Sequence, residues 1–327
     1  MVEHLHGKEG VAGSSPALGF SVRVAYVVVS HRSPDQVLRL VAALKEGPGA
    51  EVLVRHDPRG PRLHEDALQR LGARTLHDDI VFEWGGWTQL QLLLHCLGQT
   101  AEQLDPDWLL VLSGQDYPLR SMAAIEAGLA SCELDAMLGH AWELDMGGLP
   151  EPPTDDFFLR YAYRHYPAPA GTPRLPRAIR PLAYLRELPP PLRPKLGLRR
   201  MTLPFDQDFR CFVSADWLTL NRKAVAAVLE AARERRDLMR YYRRVAIPSE
   251  SFFATVLLND RSLRVAHHNR RFVSFPAPLA PHPDTLTSAD LDRLLESDCD
   301  FARKFDADVD AEVLDALDER RRSPSPR

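Results

Sequence analysis

Glu250 opens the segment best equipped for chemistry. Pro248-Ser249-Glu250 begins a predicted helix running to about Asn259, with Ser249 as its cap, so the carboxylate falls in the first turn. A positive helix end keeps a carboxylate ionised near neutral pH, as a general base needs. The plainer role is a routine complement to the helix dipole. Arg303-Lys304 lies between Phe301 and Phe305. Aromatics on both sides would anchor the segment and aim two cations at a diphosphate, where the plainer role is a solvated basic pair. His31, His56-Asp57 and Ser113-Gly114-Gln115-Asp116 each follow a predicted strand, and in open α/β sheets ligands bind beyond the carboxyl ends of the strands. Asp57 before Pro58 and Asp116 before Tyr117-Pro118 also suit turns, yet three such ends together form a crevice. Phe158–Tyr166 (FLRYAYRHY) crowds Arg160 among tyrosines and a histidine. That crowding suits stacking and hydrogen bonding to a sugar or peptide, or equally an amphipathic segment packed on the sheet.

These groups need a scaffold. Residues 1–20 read as a loose tail, and Ser21–Ser30 (SVRVAYVVVS) is a near-continuous β-branched run, as a strand buried on both faces requires. Pro34–Lys45 has apolar residues at helical spacing, and Glu51–Arg55 is a second strand. Strand–helix–strand alternation predicts a parallel sheet with a right-handed crossover. Gln89–Leu97 is helical, Trp108–Ser113 is another buried strand, Ala123–Ala130 a helix and Ala136–Gly139 a short strand. The front half is therefore an α/β unit of nucleotide-binding type. Gly147–Arg200 is loaded with proline and basic or aromatic residues, and so long an irregular stretch is usually functional or disordered. Beyond it, Phe209–Ser214 is strand-like, Arg222–Glu234 helical, Leu263–Ala266 a short strand and Ser288–Ser297 an amphipathic helix. FARKFDADVD (301–310) leads into a last helix, and 320–327 is a disordered end. No internal repeats interrupt this order.

Composition excludes several classes. The 327 residues are 45% hydrophobic and 26% charged, typical of a soluble globular protein. Lys+Arg is 41 against Asp+Glu 45, a net charge of -4, which argues against a nucleic-acid binder. Only five of the basic residues are lysine, a skew that fits a GC-rich genome. Cys96, Cys132, Cys211 and Cys299 have no CxxC spacing, so reduced core thiols are expected rather than a zinc site or a disulfide framework. No apolar run is long enough for a signal peptide or membrane span, so a cytoplasmic protein is expected, with peripheral membrane association through a partner as the alternative. No Gly-rich phosphate loop, GxSxG elbow or HExxH appears, which disfavours a dehydrogenase, and His267-His268 is adjacent rather than at i,i+4.

The blocks AYVVVSHR (25–32), RHD (55–57), WGGWTQLQ (84–91), LSGQDYPLRS (112–121), ADWLTLNRK (215–223), PSESFFATVLLN (248–259) and FARKFD (301–306) occur in one order. In that order the chain from about Val22 to Leu317 resembles the core-2/I-branching β-1,6-N-acetylglucosaminyltransferase and peptide O-xylosyltransferase family. WGGWT, ESFFxTVL and FARKF are closer to the xylosyltransferase branch. The resemblance implies an α/β, GT-A-like single domain over residues 21–319, a Rossmann-type mixed sheet flanked by helices, with the Pro-rich insertion of about 147–200 on the acceptor side. It implies an inverting transferase that uses a UDP-sugar donor, UDP-xylose first and UDP-GlcNAc as the alternative, with a glycan or protein hydroxyl as acceptor and no further cofactor.

By the same resemblance Glu250 falls at the catalytic base, and Arg303 and Lys304 where the departing UDP diphosphate is neutralised. Val29 and Asp57 match uridine-contacting positions, and Arg160 an acceptor-side arginine. Asp116, in LSGQDYPLRS, and Trp87, in WGGWTQLQ, are candidate pocket residues. The membrane anchor and lumenal cysteine pattern of animal members are absent, and Pro281-His282 stands where the acetylglucosaminyltransferase branch has a further arginine. Most GT-A enzymes hold a divalent metal with Asp-x-Asp at a strand end, whereas the equivalent strand here ends in Ser113-Gly114-Gln115-Asp116. Asp206-Gln207-Asp208 and Asp306-Ala307-Asp308 have the spacing but sit in a loop and at a helix start. Two fixed cations can do a metal's electrostatic work at a leaving group, so no metal is expected. The rival from another class is a noncatalytic nucleotide- or glycan-binding protein of this fold.

Overall fold

The computed structural model describes residues 22–147, 156–165, 201–277 and 282–322. The expected N-terminal tail and most of the Pro-rich insertion, all but 147 and 156–165, lie outside these residues. In chain order, β1 (Val24–Ser30), α1 (Pro34–Leu44), β2 (Ala50–His56), α2 (Glu65–Arg70), β3 (Arg74–Thr75), α3 (Trp87–Leu104) and β4 (Trp108–Ser113) come first. Then follow β5 (Asp116–Pro118), α4 (Met122–Ala130), β6 (Ala136–Met137), β7 (Trp142–Glu143) and α5 (Asp156–Ala162). The remainder is β8 (Phe212–Val213), β9 (Thr219–Asn221), α6 (Arg222–Glu234), α7 (Arg236–Tyr242), α8 (Ser249–Asn259), β10 (Val265–Ala266), β11 (Arg271–Val273), α9 (Leu291–Glu296), β12 (Phe301–Arg303) and α10 (Glu312–Arg322).

Seven strands form the main sheet in the order β10-β6-β9-β4-β1-β2-β3, with helices on both faces. β1 shows why its sequence is so uniformly apolar. Ala25 and Val27 point into one core, Val24, Tyr26 and Val28 into the other, and all are at most 1% exposed. β1, β2 and β4 are parallel, as the strand–helix alternation requires, but β9 runs antiparallel to both β4 and β6 and makes the sheet mixed. This is a mixed α/β architecture that agrees with a GT-A-like fold.

Several expectations are corrected. Of the strand expected over Phe209–Ser214, only Phe212–Val213 forms, paired with β7 in a two-stranded ribbon. The main sheet instead takes Thr219–Asn221, whose Asn221 ends the strand and caps α6 by accepting from Ala224 N at 3.0 Å. Ser249 is not a cap: Pro248 holds that position and no side chain caps α8, which leaves Ser249 inside the first turn. The expected helix over Ser288–Ser297 begins as a 3-10 turn, Ser288–Asp290, because Thr287 and Asp290 form a reciprocal capping box there. α10 runs through Arg322, three residues into the expected disordered end, since buried Arg321 pairs with Glu46 and Asp318. All four cysteines are free, but only Cys96 and Cys211 are buried core thiols, and Cys132 and Cys299 are half-buried. Among the described residues no helix is long and apolar enough to cross a membrane.

A second, three-stranded sheet, β11-β12-β5, carries the FARKF segment to the end of β4. The close approach is set by Gly114, where a Cβ would meet Ser30 Cβ at 2.8 Å and Val37 Cγ2 at 3.0 Å. Its N–H donates to Val29 O at 3.0 Å, which lets the chain turn directly over β1.

Candidate active site

β5 and β12 pair antiparallel with Arg303 opposite Asp116, so register alone brings the strand-end carboxylate to the cation. Asp116 is wholly buried and accepts Arg303 Nε at 3.1 Å, Ser113 Oγ at 2.7 Å and Ser113 N at 3.1 Å. The Arg303 guanidinium also stacks 4.1 Å from the centre of the Trp217 ring. Phe301 and Phe305 are buried, which fits the anchoring role expected for them. Phe305 N donates to Gln115 O at 2.8 Å, and Phe305 O accepts from Gln36 and Gln115, which clamps the segment onto the turn after β4. Lys304 is half-buried, and among the described residues its ammonium has no hydrogen-bond or ion-pair partner.

Glu250 stands on α8, a helix buried nearly all round. Such a helix lies in the core rather than on the surface, and its Ser251 and Thr255 hydroxyls are met by Tyr242 at 2.8 and 3.1 Å. The helix start is fixed from both sides: Ser214 N donates to Glu250 O at 2.7 Å, and Ile247 N to Gly85 O at 2.8 Å. Gly85 has φ +72, a conformation that favours glycine. Arg160, on α5, donates to Glu250 Oε2 at 2.9 Å. The arginine expected on the acceptor side and the expected base therefore form one charge-assisted pair.

Sequence reasoning missed a second carboxylate, which lies near Ser249 at the start of α8. Asp216 Oδ2 accepts from Gln89 Nε2, and the Gln89 amide is oriented because its Oε1 accepts from Gly85 N at 2.8 Å. Asp216 Oδ1 is sealed from solvent without a hydrogen-bond partner, although the residue as a whole is half-buried. Burial pushes its carboxyl up to about 6, against Ser249, Arg303 and Gln89, which favour the charged form. Ser249 Oγ lies close enough to exert that pull but completes no hydrogen bond. Asp216-Trp217 thus joins the two halves of the site. Trp217 carries Arg303, while Asp216 faces the first turn of α8. The available signal was a carboxylate buried inside the ADWLTLNRK block.

At the carboxyl ends of the parallel strands Val29 is flanked by Arg55 on β2 and Ser113 on β4. Asp57 follows β2, and its N–H donates to Ser30 O at 2.8 Å. Arg59, also missed, forks onto Asp57 at 3.0 and 2.6 Å and donates to Phe82 O as well. The Arg59 guanidinium holds the Asp57 carboxyl down at about 2 from an ordinary 3.8. A depressed carboxylate stabilises the fold fully above its unfolded value, and that contribution disappears as pH falls through the folded one. Arg59→Ala is therefore expected to flatten the loss of stability between about pH 4 and pH 2 relative to wild type, as measured by thermal melts across that window.

Trp87 begins α3, with its ring packed on the core beneath Arg243 at 5.0 Å, so Gln89 rather than Trp87 reaches Asp216. His56 Nδ1 lies 2.8 Å from Ser30 Oγ, while His31 is exposed. His282 lies against Trp84 with the rings tilted at 60° and their centroids 6.2 Å apart. His267 Nδ1 lies 2.9 Å from Ala141 O, which suits packing. Asp206 accepts from Asp208 N and Phe209 N in a local turn, and Asp306 pairs with Arg32 at 2.8 Å. Among the described residues no group of three His, Cys, Asp or Glu side chains is arranged to hold a metal ion.

Residues 184–294 match the family model described as Core-2/I-Branching enzyme. Over 322 residues the chain is 24% identical to xylosyltransferase 1 of Rattus norvegicus, covering 91% of this chain and 35% of that protein. The human xylosyltransferase 1 is 26% identical over 321 residues, 91% of this chain and 30% of the relative. The β-glucuronosyltransferase GlcAT14B of Arabidopsis thaliana is 31% identical over 113 residues, 34% of this chain and 26% of that one. The chain spans about a third of the length of the xylosyltransferases it matches.

Proposed function

We propose that this chain, whose residues 184–294 match the Core-2/I-Branching enzyme model, moves a sugar from a UDP-sugar to an acceptor hydroxyl with inversion at the anomeric carbon. The observation that supports it most is that Asp216-Trp217 brings a cation anchored for a leaving group, Arg303, together with the Asp216 carboxylate at the first turn of α8, the turn that carries Glu250. One domain over residues 21–319 would hold the whole reaction.

In this mechanism Glu250 takes the proton of the acceptor hydroxyl as its oxygen attacks the anomeric carbon in line. The bond from that carbon to the phosphate oxygen breaks, and its electron pair leaves with UDP. Arg303 and Lys304 stabilise the charge that grows there, a task for preorganised cations in a water-poor site. Arg160 orients the Glu250 carboxylate, and Val29 and Asp57 hold the uridine. A second assignment of the proton acceptor is favoured by Asp216, whose unpartnered Oδ1 and raised carboxyl suit proton transfer near neutral pH.

UDP-xylose is the leading donor, because the xylosyltransferases match nine-tenths of the chain. UDP-GlcNAc is the alternative drawn from the family model, and UDP-glucuronate follows from the shorter match. UDP release measured across these donors tests the reading. UDP binding with no turnover on any donor or acceptor would leave a noncatalytic binder instead. Because the leaving-group charge is assigned to side chains, transfer is expected to persist in excess EDTA. Abolished transfer that Mn²⁺ restores would overturn that assignment.

A further inference from the structure

Arg271 begins β11 and is 8% exposed, yet Nε, Nη1 and Nη2 are all buried without a hydrogen-bond partner. The other buried arginines are provided for: Arg55 forks onto Asp78 at 3.0 and 2.8 Å, and Arg321 pairs with Glu46 and Asp318. A guanidinium has five N–H donors and no acceptor, so burial without partners is costly and rare. The carboxylates nearest it are committed elsewhere. Asp116 serves Arg303 and Ser113, and Asp300 is forked by Arg270 at 2.6 and 3.0 Å.

Register shows where the Arg271 side chain points. Arg271 pairs with Phe301, Val273 with Arg303, and Arg303 with Asp116. Side chains two residues apart on a strand share a face, as do directly paired residues, so Arg271, Arg303 and Asp116 lie on one face of the small sheet. The Arg271 guanidinium lies over the Phe301 ring at 5.9 Å, which carries it across β12 toward Asp116. Burial pulls its pKa down to about 10, opposed first by the Asp116 charge. Two cations, Arg271 and Arg303, therefore meet one buried carboxylate on this face, and a water molecule would satisfy N–H groups without balancing the charge.

We propose that Arg271 is a further donor-binding residue whose guanidinium takes an oxyanion carried by the nucleotide sugar, either a phosphoryl group of the diphosphate or a carboxylate on the sugar. This rests on the glycosyl-transfer reading above. Calorimetric titration of wild type, Arg271→Met and Arg271→Lys with uridine, UDP, UDP-xylose and UDP-glucuronate tests it. If the oxyanion is a phosphoryl group, R271M weakens UDP at least tenfold and leaves uridine unchanged, with part of the affinity restored in R271K. If it is a sugar carboxylate, R271M leaves UDP unchanged but weakens UDP-glucuronate at least tenfold relative to UDP-xylose.

Ligand-free R271M is expected to melt at or above the wild-type temperature, because an apolar side chain of similar length replaces an unpartnered buried charge. Unchanged affinities for every ligand in R271M, or a large drop in its melting temperature, would make Arg271 a structural core cation and overturn the proposal. Failure of the wild type itself to bind UDP would instead remove the glycosyl-transfer reading, and this proposal with it.

Discussion

Glu250→Gln is expected to lower the rate of sugar transfer by about 10²- to 10⁴-fold while UDP affinity stays near the wild-type value. The amide keeps an oxygen for Arg160 and preserves the length of the side chain, so the first turn of α8 and its contacts to Ser214 should persist. What is lost is the capacity to accept a proton. Asp216→Asn is the necessary companion, because its carboxyl stands at about 6 with one oxygen unsatisfied. If Glu250 is the acceptor, E250Q carries the large loss in single-turnover transfer and D216N a smaller one through altered packing beside Ser249. If Asp216 is the acceptor the order reverses, and wild-type kcat/KM has an acid limb near pH 6 that D216N abolishes. The sign follows from the chemistry: the acceptor must be ionised, so activity rises as pH increases through the pKa of the residue that does the work.

What was legible in the sequence was whatever had either periodicity or flanking anchors. The β-branched run of β1, the helix under Glu250 and the phenylalanines around Arg303-Lys304 all signal their packing locally. Elements of two or three residues signal nothing of the kind. β9 joins the main sheet through three residues, and β5 turns Asp116 from an apparent turn-former into the strand partner of Arg303. Asp216 and Gln89 are 127 positions apart and meet only because α3 and the segment before β9 converge on the start of α8. Arg270 and Arg271 are neighbours in the chain with no local signal that separates them. Arg270, with φ +52 just before β11, turns to Asp300, while Arg271, the first residue of the strand, goes into the interior. Arg59, by contrast, was within reach, since an arginine two residues after Asp57 can fork back onto it without tertiary help.

Arg303→Met is expected to act on stability and rate at once, and a second substitution should separate the two. Asp116 has no exposed side-chain surface, and Arg303 is its only hydrogen-bonded cation among the described residues. Removing one partner of a buried pair strands the other charge, which costs roughly 3–5 kcal/mol; the serine hydrogen bonds and the nearby Arg271 charge place the expected loss toward the lower end of that range. Asp116→Asn in the same chain removes the stranded charge, so R303M/D116N should regain most of the lost melting temperature. Transfer should not return with it. The guanidinium over Trp217 is assigned to the developing charge on UDP, and deleting one such preorganised donor typically costs about 10²- to 10³-fold in rate. A double variant that recovers both stability and turnover would show that Arg303 only neutralises Asp116, and would leave Lys304 as the residue acting on the leaving group.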